Sequence, residues 1–365
     1  MTDDGPFLFS DGTSVPSALL RDDPKQNYLS PSVRIIGLTL MAVSLLCSML
    51  VALLVWWHQE KPSIRGNQPF FLYILLAGTF VMAWSILFLS FDESDFKDYV
   101  ISEESEEPRF LDIACTIFPW FLSLGYVLIY GTLFMKLWRI NRVLQSRRTS
   151  VAVKQVVWPC IVLLGITIVI LAVWTAIDPW QWERHPVDED EPQGESYGRC
   201  SSDHDIVFIL VLAVVMLGAT VLAGLMAWKT KDVDSKFSES NWIFTTIVLQ
   251  FQVLVVGIPI LIIVQRASAD ATYMGRVLLI WTMAMSTLVL MFVPKLLPIL
   301  LPKLSQRLSN PTMRSSLASG NVRVTAPAGM SNPKTSSGLT GTSYRRVLRI
   351  VVLRISKIVM RWNII

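Results

Sequence analysis

Seven long stretches of this 365-residue sequence contain no Asp, Glu, Lys or Arg. They are residues 35–57, 69–91, 113–135, 156–177, 206–228, 242–264 and 277–294, and "KLLPILLP" extends the last one. Each is close to the roughly 20 residues that a helix needs to cross about 30 Å of hydrocarbon. The mean hydropathy is +0.49, and hydrophobic residues make up 52% of the chain against 16% charged. The sequence therefore predicts an all-α membrane protein, a bundle of seven transmembrane helices.

The charged residues predict how the bundle is oriented. Of the 32 Lys and Arg residues, 23 lie in the loops 58–68, 136–155 and 229–241 and in the tail that begins at residue 295. Of the 28 acidic residues, 24 lie in the segments on the other side. Basic residues accumulate on the cytoplasmic side of a membrane. We therefore expect the N-terminus to lie outside and the C-terminus to lie in the cytoplasm.

The chain divides into four predicted parts. Residues 1–31 form a short extracellular tail and residues 32–303 the seven-helix bundle. Residues 304–343 are a cytoplasmic linker rich in Ser and Thr, which cannot bury enough apolar surface to fold alone and is predicted to be disordered. Residues 344–365 are basic and amphipathic as a helix, which indicates binding to an anionic leaflet of the bilayer; a β-prone adhesive tail is the alternative.

Two of the four cysteines lie on the predicted outer side. Cys115 opens the third span and Cys200 precedes the fifth, so both face an oxidising compartment in which a disulfide persists. We expect a bridge between them that holds the acidic loop 178–205 over the bundle. Cys47 and Cys160 lie inside spans and are interpreted as small packing residues.

Several function classes find little support. Ion-coupled transporters and proton pumps need ionisable groups inside the membrane, and the seven stretches have none. A retinal Schiff base requires a lysine at mid-membrane and an acidic counter-ion. Lys295 lies near the predicted cytoplasmic end of the seventh helix, and no span contains an acid. The three histidines have no metal-binding spacing, and no nucleophile elbow or phosphate loop is present. We expect no enzyme activity, no cofactor, no metal and no nucleic-acid partner.

Four motif segments occur in order at residues 115–143, 174–179, 228–243 and 292–297. Together they resemble the class C G-protein-coupled receptors, in particular the metabotropic GABA receptor branch. "CTIFPWFLSLGYVLIYGTLFMKLWRINRV" at 115–143 resembles the third helix of that branch, with its Lys-x-Trp-Arg ending. "WTAIDP" at 174–179 resembles the end of its fourth helix, and "WKTKDVDSKFSESNWI" at 228–243 its third inner loop. "FVPKLL" at 292–297 resembles its seventh helix. The motif residues are Trp138, Trp174, Asp178, Pro179, Pro294 and Lys295.

The resemblance implies a plasma-membrane receptor that passes an extracellular signal to a heterotrimeric G protein and forms a homodimer or a heterodimer with another class C receptor. It also implies an ionic switch between Lys136 and Glu239 at the cytoplasmic end of the bundle. G-protein coupling would fall to basic residues of the second and third inner loops, namely Arg139, Arg142, Arg147, Arg148, Lys229 and Lys231. Ser150, which follows two arginines in "RRTS", is a candidate phosphorylation site.

Three interpretations of the chain's role stay open. Class C receptors usually bind their agonist in a large external domain, and residues 1–34 precede the first uncharged stretch here. The chain could be a receptor built around the bundle alone, a fragment, or a subunit that depends on a partner for its ligand. A channel or transporter without intramembrane charges and a non-signalling subunit of a larger receptor are the alternatives to a signalling receptor.

Overall fold

A computed structural model describes residues 26–61, 69–93, 107–145, 153–186, 196–230, 238–264 and 268–300. These ranges contain seven helices, each long and apolar enough to cross a membrane, which confirms the predicted bundle. Hydrocarbon offers no hydrogen-bond partners, so a spanning segment satisfies its own backbone as a helix. The helices are α1 (Pro31–Trp57), α2 (Pro69–Leu89), α3 (Glu107–Gln145), α4 (Val153–Ile177), α5 (Asp205–Thr230), α6 (Ser238–Val264) and α7 (Ala269–Leu300).

Three short strands cover one end of the bundle. They are β1 (Gln26–Asn27), β2 (Gln181–Pro186) and β3 (Ser196–Ser201), in the sheet order β1-β3-β2. β2 and β3 form an antiparallel hairpin between α4 and α5, and β1 pairs with β3 in parallel just before α1 begins. We call this sheet the cap, and the end of the bundle that carries it the cap face. These strands were not predicted from the sequence.

The longest helix, α3, lies at the centre of the packing. It contacts α2, α4, α5 and α6, and it also reaches β2 of the cap. In α2, α3 and α7 half of the most apolar stretch is buried, against 17–22% in the other four helices. α2, α3 and α7 therefore form the interior, while α1, α4, α5 and α6 present most of their apolar side chains to the surrounding lipid.

Close backbone approach and a few polar contacts fix the helices against one another. A Cβ on Gly125 of α3 would lie 2.6 Å from the backbone nitrogen of Met82 in α2, so these two helices touch as closely as they do only because residue 125 is glycine. The Tyr126 hydroxyl lies 2.6 Å from the Thr220 hydroxyl of α5. In the same way the Gln250 side-chain amide of α6 donates to the Thr287 hydroxyl of α7.

Several predictions fall outside the described residues. The predicted extracellular tail 1–31 is described only from Gln26 onward, and the predicted linker 304–343 and basic segment 344–365 lie outside the described residues. The orientation of the bundle in the membrane likewise stays a prediction.

Candidate functional site

The cap is held to the bundle by a disulfide. Cys115 of α3 and Cys200 of β3 are joined at a Cα–Cα distance of 5.6 Å, across 85 residues of sequence. This is the pair expected from the sequence. Asp112, one helical turn before Cys115, accepts a hydrogen bond of 2.8 Å from the backbone N–H of Trp182 in β2. Both strands of the hairpin are therefore tied directly to α3.

Glu93, just beyond the end of α2, binds the other side of the hairpin. One of its carboxylate oxygens accepts from the indole N–H of Trp182, and the other accepts from the Arg184 guanidinium, with the Nε contact at 2.9 Å. The two charged side chains are each 27% exposed, so the ion pair is mostly covered. Burial alone would lower the pKa of the Arg184 guanidinium, but the hydrogen bonds and the charge of Glu93 outweigh it and the pKa is raised. We call these three residues the Glu93 clasp.

The chain that enters α1 is bound by three different parts of the molecule. β1 pairs with β3, with Gln26 opposite Ser196. The backbone N–H of Leu29 donates to Asp92 beyond α2, and that of Ser30 donates to Asp270 in the first turn of α7, both at 2.8 Å. Ser30 is the N-cap of α1, so its N–H is one of those that a helix start leaves without an intrahelical partner, and a carboxylate satisfies it well.

The guanidinium of the clasp also contacts this entering chain. The Arg184 Cζ lies 5.1 Å from the centre of the Tyr28 ring, a cation–π geometry. Arg184 therefore touches both the end of α2, through Glu93, and the residue that follows β1.

A further contact joins α1, α2 and α7 immediately below the cap. The Tyr273 hydroxyl of α7 lies 2.7 Å from the hydroxyl of Ser90, which directly follows α2, and a Cβ at Gly37 of α1 would collide with the same tyrosine. Residues 90–93 thus bond in turn to α7, to the chain before α1 and to the hairpin. The end of α2 is the point at which these contacts meet.

The base of the hairpin is closed by a family-motif residue. Asp178, which follows α4, accepts a hydrogen bond of 2.7 Å from the backbone N–H of His204, which precedes α5, and lies 3.4 Å from the His204 ring. Asp178 therefore joins the two ends of the segment that carries the hairpin. Among the described residues no group of three or more His, Cys, Asp or Glu side chains is arranged to hold a metal ion.

Lys136 lies far from the cap, toward the opposite end of α3. It is only 6% exposed, which is rare for a lysine. α6 packs against α3 and begins at Ser238, so Glu239 is in its first turn. The Glu239 side chain is outside the described residues, so the predicted ion pair is a prediction that the structure leaves untested.

The remaining predicted residues are distributed between the two ends of the bundle. Trp138 packs edge-on against Phe134 on α3, and Trp174 stacks on Phe208 of α5. Near the end that carries Lys136, Arg142 and Lys229 are exposed, while Arg139, Pro294 and Lys295 are half-buried. Arg147, Arg148, Ser150 and Lys231 are outside the described residues.

The acidic residues that hold the cap were not predicted as site residues. Asp92, Glu93, Asp112 and Asp270 contribute to the sequence prediction only as part of an acidic outer side. The available signal was their position, since Asp92, Glu93 and Asp112 lie within two residues of the end of an uncharged stretch and Asp270 lies in the short segment between the last two stretches. Their hydrogen-bond partners lie up to 240 residues away in sequence, and no local pattern identifies them.

Comparison with known proteins gives a consistent result. The family model described as "7 transmembrane sweet-taste receptor of 3 GCPR" matches residues 28–295. The matched region starts in the chain before α1 and ends in α7, so it includes the hairpin of the cap, the Glu93 clasp, α1 to α6 and most of α7.

Individual relatives agree with that family. The chain is 24% identical over 298 residues to gamma-aminobutyric acid type B receptor subunit 2 of Caenorhabditis elegans, covering 78% of this chain and 34% of the relative. It is 31% identical over 205 residues to metabotropic glutamate receptor-like protein E of Dictyostelium discoideum, covering 51% and 23%. Against human gamma-aminobutyric acid type B receptor subunit 2 it is 23% identical over 255 residues, covering 66% and 26%. The match thus spans about a third or less of the length of these relatives.

Proposed function

This chain belongs to the class C family of G-protein-coupled receptors, and from that membership we propose that it passes an extracellular signal through its bundle to a heterotrimeric G protein. It is a multi-pass plasma-membrane protein with the cap outside. The observation that carries the proposal is the junction at the cap face. A single short segment, residues 26–30, is bonded to the hairpin, to the end of α2 and to the start of α7.

A displacement of that segment would act on several helices at once. Pulling on β1 moves β3, which is covalently attached to α3 through the disulfide. The same displacement strains the two carboxylate contacts to α2 and α7. Packed interiors switch between discrete arrangements and do not deform continuously, so a small shift here can favour a second packing of the bundle. The relatives extend well beyond the matched region, and that additional part of the chain would displace the segment before α1 in them. In this chain the displacement of residues 26–30 would come from the residues that precede Gln26 or from a molecule that contacts this segment.

At the cytoplasmic end we propose that Lys136 pairs with Glu239 and stabilises the resting packing. The support is the burial of Lys136, since a buried ammonium requires a carboxylate or several carbonyl oxygens around it. α3 and α6 pack together, and a carboxylate in the first turn of α6 also interacts favourably with the helix dipole. Separating α6 from α3 would break the pair, which makes it suitable as a switch.

We further propose that the exposed cations beside this site bind the G protein. Arg142 and Lys229 are exposed at the ends of α3 and α5, and Arg147, Arg148 and Lys231 follow them in sequence. Phosphate on Ser150 would add up to two negative charges among these cations and weaken the coupling. The similarity to receptor subunits favours a homodimer or heterodimer with another class C receptor.

The test is guanine-nucleotide exchange by purified G protein added to the full chain in lipid nanodiscs. Accelerated exchange, lost when Arg142 and Lys229 are both changed to Glu, supports a signalling receptor. Ion flux from liposomes that contain the chain, without exchange, would favour a channel or transporter. Absence of both, with co-purification of a longer class C receptor, would identify a non-signalling subunit.

A further inference from the structure

Two arginines approach each other where α7 meets the cap. Arg276 lies seven residues after the start of α7 at Ala269, or about 10 Å along the helix axis. It is close enough to Arg199 of β3 for their like charges to repel. Neither guanidinium forms a hydrogen bond or an ion pair with another described residue. We call Arg199 and Arg276 the arginine pair.

Arg276 faces the interior of the bundle and not the lipid. The residues one and two turns further along the same side of α7 are Ile280 and Met283, and each is only 3% exposed. Arg276 itself is half-buried, so it is partly accessible at the outer mouth of the bundle, and Arg199 is exposed on β3. An anion that enters from the outer solution therefore has access to both side chains.

The hairpin brings a tyrosine to the same place. Tyr197 and Arg199 share one face of β3, because side chains two residues apart in a strand point the same way. Arg276 interacts electrostatically with this tyrosine as well as with Arg199. The opposite face of β3 carries Cys200, which is bonded to Cys115 of α3. One face of β3 thus attaches the cap to the bundle, and the other brings Tyr197 and Arg199 to α7.

The acids on the hairpin and at the start of α7 are bonded elsewhere. Glu183 is opposite Arg199 in the strand register, but its carboxylate accepts a hydrogen bond of 2.6 Å from the Ser201 hydroxyl. Asp270, in the first turn of α7, accepts the backbone N–H of Ser30 at 2.8 Å. Two neighbouring cations without a counter-charge are unfavourable, and more so when one is partly buried. The arginine pair therefore points to an anion that is not one of the described residues.

We propose that Arg199 and Arg276 together bind a soluble oxyanion, the carboxylate or phosphate group of a small molecule that enters from the outer side. Each guanidinium presents a planar fork of N–H donors that matches either group. The anion removes the repulsion between the two side chains, and the half-buried Tyr197 hydroxyl can donate a further hydrogen bond to it. The proposal concerns binding alone and does not depend on signalling to a G protein.

Inorganic phosphate is the probe. The full chain in phosphatidylcholine nanodiscs is brought to one ionic strength with sodium chloride or with sodium phosphate at neutral pH, and its thermal midpoint is measured in each. For a Kd of about 1 mM, about 20 mM phosphate should raise the midpoint by about 2–4 °C. Arg199→Met and Arg276→Met should each abolish this increase. In chloride both variants should have an unchanged or higher midpoint, because the repulsion is removed.

The matched control is Lys61→Met, which also removes one positive charge. Lys61 is exposed, four residues after α1 ends at Trp57, at the end of the bundle opposite the cap. This variant should keep the full increase. If Arg276→Met keeps the increase, or if Lys61→Met also loses it, phosphate acts on the protein generally and the proposal is wrong. A wild-type chain without any increase would equally overturn it.

Solid-state NMR identifies the source of the anion. In the chain labelled with ¹⁵N-arginine, the phosphorus of added phosphate should attenuate guanidinium signals that are missing from Arg199→Met and Arg276→Met. Attenuation of the same signals before phosphate is added would come from the phosphorus of the lipid. That result would assign the arginine pair to a lipid headgroup and overturn the soluble ligand.

Discussion

Replacing Glu93 by Gln removes the negative charge from the clasp while keeping the size of the side chain. In the wild-type chain the Glu93 carboxylate accepts hydrogen bonds from the Trp182 indole and the Arg184 guanidinium, and both charged side chains are 27% exposed. A fully exposed ion pair contributes about 0–1 kcal/mol, and breaking a buried one costs about 3–5 kcal/mol. With roughly three quarters of each side chain covered, we expect Glu93→Gln to cost about 1–2 kcal/mol. That corresponds to a thermal midpoint lower by about 2–6 °C.

A double-mutant cycle isolates the pair from general damage to the cap. The variants are Glu93→Gln, Arg184→Met and both together, each purified in nanodiscs with the disulfide intact, and the thermal midpoint is measured for all four proteins. If the two residues act as a pair, the double variant should be more stable than the sum of the single changes predicts, by about 1 kcal/mol or more.

Arg199→Met is the matched control for this cycle. Arg199 lies on β3, where it is opposite Glu183 of β2 in the strand register and not opposite a residue of the clasp. It also lies close enough to Arg276 of α7 for their like charges to repel. Removing it should leave stability unchanged or slightly raise it. Additive losses in the cycle, with coupling below about 0.5 kcal/mol, would refute the clasp as an energetic link.

Three further outcomes are expected. Gly125→Ala should cost about 1–3 kcal/mol of stability through overpacking and so lower the thermal midpoint. Gly165→Ala, where the added methyl group would lie in open space, should leave the midpoint unchanged or raise it. Equal effects of the two changes would contradict the close approach of α2 and α3. Peptide mapping without reductant should recover the disulfide between Cys115 and Cys200, and free thiols at these residues would disprove it. Because the disulfide closes a loop of 85 residues, its reduction should destabilise the chain by about 4–5 kcal/mol in the chain-entropy account. Lys136→Ala and Glu239→Ala should each raise basal nucleotide exchange, and the charge swap should restore it in part; a swap no better than either single change would leave Lys136 as a membrane anchor.

The sequence by itself determined the number and approximate bounds of the helices. The absence of charge over about 20 residues is a local property, and in lipid it has only one structural solution for a single segment. The disulfide could also be predicted, because Cys115 at the outer end of the third span and Cys200 in an outer loop are the two cysteines on the predicted outer side. The family followed from short motifs in order, which are again local.

The tertiary structure alone decided which face of each helix is interior. In a soluble protein an apolar stripe marks the buried face, but in a membrane the lipid-facing side is as apolar as the core. α2 illustrates the difference: Phe71 is 1% exposed and its neighbour Phe70 is 51% exposed, although the two residues are chemically identical.

The cap likewise depends on the tertiary structure and could not be predicted from the sequence. The strands are six residues or fewer, and the acids that hold them are bonded to groups far away in sequence. Glu93 is one of nine acids in residues 92–112, and nothing in that stretch distinguishes it. A carboxylate becomes a structural ligand only when folding brings a particular N–H within about 3 Å of it, and that depends on how the ends of α2, α4 and α7 come together around the chain before α1.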